Sequence, residues 1–289
     1  MSQELRASIA GRLRAAGSVF AEDEADLLIA AAATPDQLDD MVERRASGLP
    51  LEHVIGWAEF CGLRIAVSPG VFVPRRRSEF LVGRAIAAAR HWAPDGPWLV
   101  VDLCCGSGAV GVAVAAQLST LGAVELHAAD IDPAAAQCAR PTVAAVGGTV
   151  YQGDLYDALP PGLAGRVGVL VVNAPYVPSG EIAFMPPEAR LHEPLIALDG
   201  GPDGVMLHRR IAAAAADWLA PGGCLLIETS ERQARQTLAA MTAAGLTAAV
   251  SADEEMDATV VIGTLAGGAL VDLAAYGGKG PRAAQGSAA

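Results

Sequence analysis

Four residues that follow an apolar run have the chemistry to hold an amide or an amine. Residues 169–172 are all apolar and predict a buried strand, and Asn173, Ala174, Pro175 and Tyr176 come directly after it. Ligands of open α/β sheets bind just beyond the carboxyl ends of the strands. The Asn173 side-chain oxygen and the Ala174 carbonyl could each accept one N–H of a planar amide, with Tyr176 against its face. A plain strand-ending Asn-Pro turn would contain the same residues, so this pattern alone leaves both interpretations open.

A second stretch, residues 100–111, has the pattern of a strand, a glycine-rich turn and a helix. Gly106, Gly108 and Gly111 match the spacing G-x-G-x-x-G, which brings the backbone close to a ligand and leaves helix N–H groups free to bind it. Asp130 ends the next predicted strand, about 20 residues further on, where an acidic residue holds the hydroxyls of a ribose. Both NAD and S-adenosylmethionine contain such a ribose, so this pattern indicates either cofactor.

The residues around this turn favour S-adenosylmethionine. Asp102 lies within the end of the first predicted strand, where a carboxylate suits an ammonium and a sulfonium group but repels a pyrophosphate. A dehydrogenase would also need a proton-transferring residue, and the five histidines show no supporting pattern. Cys104 and Cys105 are predicted to be small packing residues whose backbone faces the ligand, not nucleophiles.

The composition restricts the class of protein and the kind of partner. Of the 289 residues, 52% are hydrophobic, and no apolar stretch approaches the ~20 residues of a membrane span. The first residues lack the apolar segment of a signal peptide. The net charge of −12 disfavours binding to a bare phosphate backbone and favours a basic protein partner or a neutral small molecule. Five cysteines without metal-ligand spacing predict reduced thiols in the cytoplasm and no metal site.

Helical periodicity fills about the first 50 residues. Apolar residues recur at helical spacing over residues 3–16 and 22–33, and a third helix is predicted after Thr34. Thr34 is its N-cap, Gln37 closes a capping box, and Gly48 ends it. Residues 1–50 are therefore predicted to form a small helical domain that packs on the rest of the chain. A β-hairpin linker is predicted over residues 51–75.

From residue 97 onward, strands alternate with helices, which is typical of a doubly wound α/β sheet. The seven predicted strands are residues 98–103, 124–129, 149–151, 169–172, 224–228, 247–250 and 259–263. The predicted helices are residues 78–92, 107–119, 133–146, 204–219 and 230–244. The first and fourth strands are expected to be neighbours, and the last two to form an antiparallel edge hairpin. This domain is assigned to residues 76–265, before a tail over residues 266–289 that is predicted to be disordered.

The segment between Tyr176 and Gly204 has no clear periodicity. Unstructured stretches of about 27 residues are uncommon in compact domains and are usually functional. We expect this loop to cover the site.

Further motifs carry a resemblance to a known family. Residues 48–56 read Gly-Leu-Pro-Leu-Glu-His-Val-Ile-Gly, Pro74-Arg75 is followed by Glu79, and residues 192–204 read His-Glu-Pro-Leu-Ile-Ala-Leu-Asp-Gly-Gly-Pro-Asp-Gly. With the two stretches above, the chain resembles the protein-(glutamine-N5) methyltransferases that modify peptide chain release factors, the HemK/PrmC family. The resemblance extends over about residues 40–264.

This resemblance implies a class I S-adenosylmethionine-dependent methyltransferase fold with an N-terminal helical domain that helps to bind a protein substrate. The methionine part of the cofactor would lie over residues 104–108, its ribose on Asp130 and its adenine near Asp154. The implied cofactor-binding residues are Asp102, Cys104, Cys105, Gly106, Ser107, Gly108, Asp130, Ile131, Asp154, Leu155 and Asn173. The implied catalytic residues are Asn173, Ala174, Pro175 and Tyr176. The implied substrate-binding residues are Pro74, Arg75, Glu79 and Glu193.

Three departures from the family pattern lie near the expected substrate mouth. Ala174 stands where the family usually has proline, residues 76–78 read Arg-Arg-Ser in place of an acidic-threonine pattern, and residues 228–230 read Glu-Thr-Ser in place of Glu-Ile-Gly. The Ala174 carbonyl remains an acceptor, although the turn loses a fixed φ. These departures favour a diverged paralogue, whose substrate could differ from a release factor.

Three alternative functions stay open beside the family one. Methylation of a nucleobase amine would need a basic groove, which the net charge disfavours. Methylation of a small molecule is favoured by the altered mouth. A non-catalytic S-adenosylmethionine-binding protein that docks on a partner would have no reason to keep Asn173, Pro175 and Tyr176.

Overall fold

A computed structural model describes residues 3–90 and 96–267 of the chain. The N-terminal part is helical, with α1 Gln3–Ala15, α2 Ala21–Ala31, α3 Pro35–Ala46 and α4 Leu51–Ile55. The predicted cap of α3 is present, because Thr34 Oγ1 accepts a hydrogen bond from Gln37 N at 3.2 Å. The helices enclose one apolar cluster, whose most buried members include Leu13, Leu28 and Val42.

The predicted hairpin follows, with β1 Trp57–Phe60 and β2 Leu63–Ala66 paired antiparallel. Residues 51–55 were predicted to belong to the linker, but they form helix α4 and Val54 packs into the N-terminal cluster. Gly56, with a φ of +84°, ends that helix in the left-handed conformation that glycine adopts without strain. The helical unit therefore extends to residue 55.

The remaining elements form a seven-stranded sheet with helices on both faces. The strands are β3 Trp98–Leu103, β4 Val124–Asp130, β5 Thr149–Gln152, β6 Val167–Val172, β7 Leu219–Thr229, β8 Thr247–Asp253 and β9 Ala258–Thr264. The helices are α5 Glu79–Ala89, α6 Ala109–Leu118, α7 Pro133–Ala144, α8 Pro187–His192, α9 Met206–Trp218 and α10 Glu231–Ala243. This arrangement confirms the predicted doubly wound α/β fold.

The strand order is β5-β4-β3-β6-β7-β9-β8. The predicted neighbours, β3 and β6, are parallel and lie at the centre, where every residue of both strands is buried. The last two strands form the predicted antiparallel hairpin at the edge of the sheet, and within it β9 lies between β7 and β8. Two apolar cores cover the two faces of the sheet, one built mainly on α5, α6 and α7 and the other on α9 and α10.

The predicted disordered tail begins at residue 266, and its residues 268–289 lie outside the described part of the chain. Among the described residues, no helix is long and apolar enough to cross a membrane.

Candidate active site

The carboxyl ends of β3, β4 and β6 meet at one edge of the sheet and open into a cavity of about 610 Å³. Leu103 pairs with Val172 in the parallel register, so the turn after β3 and the turn after β6 begin side by side. This juxtaposition joins the two motifs that the sequence separates by about 70 residues. The cavity is lined by thirteen of the predicted cofactor-binding and catalytic residues, namely Asp102, Cys104, Cys105, Gly106, Ser107, Asp130, Ile131, Asp154, Leu155, Asn173, Ala174, Pro175 and Tyr176.

Asp130 joins the glycine-rich turn to the end of β4. Its Oδ2 accepts a hydrogen bond from Gly106 N at 2.8 Å, and its Oδ1 accepts one from Asp132 N at 2.9 Å. Gly106 has a φ of +55°, and a Cβ added there would meet no atom within 4 Å, so the turn leaves room for a ligand. Burial raises the pKa of Asp130, while the two backbone hydrogen bonds oppose this rise.

Asp102 is almost completely buried at the end of β3. Its Oδ2 accepts a hydrogen bond from Gly111 N in the first turn of α6 at 2.8 Å. A Cβ at position 111 would lie 2.8 Å from both Asp102 Cβ and Asp102 Oδ2, which explains the third glycine of the motif. Burial raises the pKa of Asp102 to about 7. Neither Asp102 nor Asp130 forms an ion pair with a described residue, so the two carboxylates fit a ligand with a positive charge and ribose hydroxyls.

Of the other predicted cofactor-binding residues, all line the cavity except Gly108. Burial raises the pKa of Cys104 and Cys105, so both stay protonated thiols, as expected for packing residues. Asp154 lines the cavity and pairs with Arg210 at 2.8 Å. Gly108 was predicted to bind the cofactor, but it does not line the cavity. Its φ is +79° and a Cβ there would lie 2.8 Å from Val143 Cγ2, so its role is close packing of α6 against α7.

The turn after β6 is held from several sides. Asn173 Nδ2 donates a hydrogen bond to Ser78 Oγ at 3.2 Å. The backbone oxygen of Tyr176 accepts a hydrogen bond from Gln233 Nε2 at 2.7 Å. The Tyr176 hydroxyl donates a hydrogen bond to Glu228 Oε1 at 3.4 Å. Ala174 is buried. Hydrogen bonds to Ser78, Gln233 and Glu228 therefore hold the turn in place beside the cavity.

Three residues that contact this turn were not among the predicted site residues, although two of them, Arg77 and Ser78, line the cavity. Arg77 lies over the Tyr176 ring, 5.9 Å from its centroid, and its Nε lies 3.6 Å from Glu228 Oε1. Ser78 and Glu228 are buried, and burial raises the pKa of Glu228. The sequence had marked all three positions as departures or as neighbours of departures, but nothing in it showed that they meet Asn173 and Tyr176.

Of the predicted substrate-binding residues, only Pro74 lines the cavity. The buried Glu193 carboxylate accepts a hydrogen bond from Val73 N at 3.1 Å and pairs with Arg75. Glu79 Oε1 accepts one from Cys61 N in the hairpin at 2.9 Å. Arg75, Glu79 and Glu193 thus connect loops around the site and do not reach into it.

The loop after Tyr176 forms one wall of the cavity. It contains α8 and two short 3-10 turns, and residues 194–199 line the cavity. Val177 N donates to Leu198 O at 3.0 Å and Gly200 N to Val177 O at 2.8 Å, so the loop closes on itself at its base. Within the described residues there is no group of three or more metal-ligating side chains.

Comparisons with known proteins identify relatives over most of the chain. Residues 85–185 match the family model described as methyltransferase small domain. A release factor glutamine methyltransferase of Geobacter sulfurreducens is 34% identical over 225 residues, which are 77% of this chain and 75% of the relative. The enzyme of the same name in Streptomyces coelicolor is 38% identical over 68% of each chain. A 4-amino-L-phenylalanine/4-methylamino-L-phenylalanine methyltransferase of Streptomyces pristinaespiralis is 36% identical, over 73% of this chain and 71% of the relative.

Proposed function

The chain belongs to the family of the release factor glutamine methyltransferases, and on that premise we propose that it transfers a methyl group from S-adenosylmethionine to the side-chain amide nitrogen (N5) of a glutamine in a peptide chain release factor. The observation that carries this proposal is the position of the Asn173–Tyr176 turn beside two buried carboxylates in one cavity. The doubly wound sheet agrees with a class I methyltransferase fold.

The residues of the cavity fit S-adenosylmethionine. Asp102 would attract its positive charges, Asp130 would bind the ribose, and the open turn at Gly106 would let the backbone approach the methionine part. Ile131, Asp154 and Leu155 would surround the adenine. When bound, the cofactor supplies an electrophilic methyl group on a sulfonium.

The turn after β6 would make the amide reactive by orientation and electrostatics. An amide nitrogen is a poor nucleophile, because its lone pair is shared with the carbonyl. Asn173 Oδ1 and the Ala174 carbonyl each accept one N–H of the glutamine, which aims the nitrogen at the methyl group and stabilises the positive charge that grows on it. Tyr176 packs on the amide plane. The nitrogen would accept the methyl group that the bound cofactor supplies, and the surplus proton would leave to water.

We also propose a setting for the reaction. All five cysteines are free thiols and lie in the described residues, which supports a reducing cytoplasm. The net charge of −12 supports a protein acceptor with a basic surface and argues against direct binding to nucleic acid.

Transfer of a labelled methyl group to purified release factors tests the function. We expect label on a release factor that maps to one glutamine. 4-Amino-L-phenylalanine is offered as a parallel acceptor, because the name of the Streptomyces pristinaespiralis relative contains this compound. Label on that amine alone would replace the proposal with a small-molecule activity.

The matched variant Asn173→Ala tests the proposed chemistry. Loss of one preorganised acceptor should reduce turnover at least ~100-fold and leave cofactor binding largely intact. Turnover equal to that of the unaltered protein would refute the role of Asn173.

A further inference from the structure

We propose that Gln233 in α10 is a positioning residue that fixes the backbone of the Asn173–Tyr176 turn. Its side chain donates a hydrogen bond to the Tyr176 carbonyl. Gln233 is 7% exposed and does not line the cavity, so it would act on the acceptor only through the turn. The inference rests on the proposed amide-binding role of that turn and adds a residue to it.

The Gln233 amide is held in one orientation by its partners. Its Nε2 donates one hydrogen bond to Tyr176 O at 2.7 Å and a second to Asp203 O at 3.1 Å. A backbone carbonyl only accepts hydrogen bonds, so the NH₂ group of the amide must face these two atoms. The amide oxygen accepts a hydrogen bond from the Ser230 hydroxyl. Rotation of the amide by 180° would place its oxygen against two carbonyl oxygens, so the side chain is locked.

Two glycines bring the loop that contains Asp203 against the turn. A Cβ at Gly204 would overlap both Gln233 Nε2 and Tyr176 O. A Cβ at Gly200 would lie 2.7 Å from Tyr176 Cα. The turn, the loop and the Gln233 amide therefore pack together without space for another side chain. This close approach gives a role to the glycines of residues 199–204, which the proposed chemistry does not use.

The turn depends on such an anchor because its own sequence restrains it only in part. Pro175 has a fixed φ but no N–H group to donate, and the φ of Ala174 is not fixed by a ring. The Tyr176 hydroxyl donates to Glu228 Oε1 at 3.4 Å, which holds the side chain at its far end. Gln233 instead bonds the backbone, directly after Pro175.

A fixed backbone matters for the proposed reaction because the Ala174 carbonyl is one of the two acceptors for the substrate amide. It lies two residues before the Tyr176 carbonyl, and the ring of Pro175 stiffens the connection between them. Movement of Tyr176 would therefore be passed on to Ala174. A displacement of about 1 Å in the reacting geometry costs a rate about 100-fold. Loss of Gln233 should thus slow methyl transfer more than it weakens binding of either substrate.

The sequence allows the Tyr176 carbonyl to be observed alone. Tyr176 and Val177 form the only Tyr-Val pair of the 289 residues. Full-length protein with ¹³C-carbonyl tyrosine and ¹⁵N-valine therefore gives one signal in an HNCO NMR spectrum. A carbonyl carbon resonates further downfield when its oxygen accepts a hydrogen bond. Gln233→Met keeps a side chain of similar length but has no N–H to donate, so the signal should move upfield. Gln236→Met, on the exposed side of the same helix, is the matched control and should leave the signal in place.

Turnover separates positioning from binding. In Gln233→Met, kcat for transfer to a release factor should fall at least ~10-fold, while KM for the release factor and the dissociation constant of S-adenosylmethionine change less than about threefold. Gln236→Met should match the unaltered protein. A loss confined to KM, or an unchanged kcat beside a shifted carbonyl signal, would overturn the proposal.

Ser230→Ala is a milder variant that keeps the test open if Gln233→Met does not fold. It removes the hydroxyl that bonds the Gln233 oxygen, and the Ser230 side chain does not cap α10, so the helix should stay intact. The carbonyl signal should move upfield by a smaller amount and kcat should fall by a smaller factor. Ser230→Thr keeps a hydroxyl and should restore both.

A carbonyl signal that stays in place in every folded variant of Gln233 and Ser230 would show that Gln233 does not hold the turn. If the unaltered protein labels no release factor, the proposed function fails, and the carbonyl signal still decides whether Gln233 anchors Tyr176.

Discussion

Asp102 is a buried carboxyl group, and its protonation state determines how strongly it attracts a cationic ligand. Burial raises its pKa to about 7, and the hydrogen bond from Gly111 N only partly opposes this. Below that pH the group is neutral in the ligand-free protein and gives no attraction to an ammonium or a sulfonium. Above it, the carboxylate is ionised and uncompensated, so binding of a cation relieves an unfavourable state.

We therefore predict that the affinity for S-adenosylmethionine rises with pH through about 7. As pH falls below the pKa, a proton must leave Asp102 for binding, so affinity should drop by a factor that approaches about tenfold per pH unit. Isothermal titration calorimetry between about pH 6 and pH 8 measures the dissociation constant. Asp102→Asn is the control and should bind more weakly with a flatter pH profile. A profile in the unaltered protein as flat as in the variant would show that Asp102 does not act on the cofactor.

Helix α6 begins against Asp102, and the contact leaves no room for a side chain at position 111. A Cβ there would lie 2.8 Å from Asp102 Oδ2 and 3.1 Å from Leu126 Cδ1. Gly111→Ala should therefore push α6 away from β3, destabilise the fold by about 1–3 kcal/mol and weaken cofactor binding. Denaturant unfolding and calorimetry measure the two effects.

Gly83→Ala is the matched control, because Gly83 lies within α5 and a Cβ there would meet nothing within 4 Å. This variant should be neutral or more stable by up to ~1 kcal/mol, since alanine favours a helix. Equal effects of the two substitutions would contradict the packing argument.

The loop after Tyr176 is attached to the segment before α5 through Glu193. Its buried carboxylate accepts from Val73 N and pairs with Arg75. Glu193→Ala leaves the buried Val73 N–H unsatisfied, so we expect a loss of about 1–3 kcal/mol and faster hydrogen exchange over residues 182–198. Asp26→Ala, which removes the exposed pair of Asp26 with Arg6, should leave the stability nearly unchanged, because exposed ion pairs contribute little. Unchanged exchange over the loop would show that Glu193 does not hold it.

Most of the helices and strands could be predicted from local sequence patterns. Largely apolar runs identified β3 and β6, because both strands are buried on two faces. Thr34 marked the start of α3 through its own hydrogen bond. The insertion of β9 between β7 and β8 was missed, because the order of strands depends on contacts far apart in the chain.

At the site, the sequence did not predict contacts between residues that are far apart in the chain. Motif spacing singled out the Asn173 turn and Asp130, and both line the cavity. Ser78 was missed as a partner of Asn173 because 95 residues separate them. Glu193 was assigned to the substrate, although its carboxylate is used on a backbone N–H 120 residues away. A side chain's hydrogen-bond partner is a tertiary property that no local pattern encodes.

The whole molecule links the helical unit to the wall of the active site. Arg45 of α3 bonds Glu24 of α2 at 2.9 Å and also lies 3.2 Å from Glu188 in the loop that forms the cavity wall. A protein acceptor that binds to α1–α3 would therefore bind to a helical unit that the Arg45–Glu188 pair connects to the loop in the cavity wall. This arrangement supports the proposal that the N-terminal helices take part in binding the protein substrate.

The net charge predicts that binding of a protein acceptor depends on the salt concentration. A protein of net charge −12 attracts a basic surface over distances that salt shortens, since the screening length falls from roughly 14 Å to 4 Å between about 0.05 M and 0.5 M salt. We expect the KM for an intact release factor to rise several-fold over this range. The KM for a short neutral peptide around the same glutamine should change little, because it engages the cavity alone. If both acceptors respond equally to salt, long-range attraction is not the cause, and the protein acceptor would have to be held by short-range contacts around the mouth of the cavity.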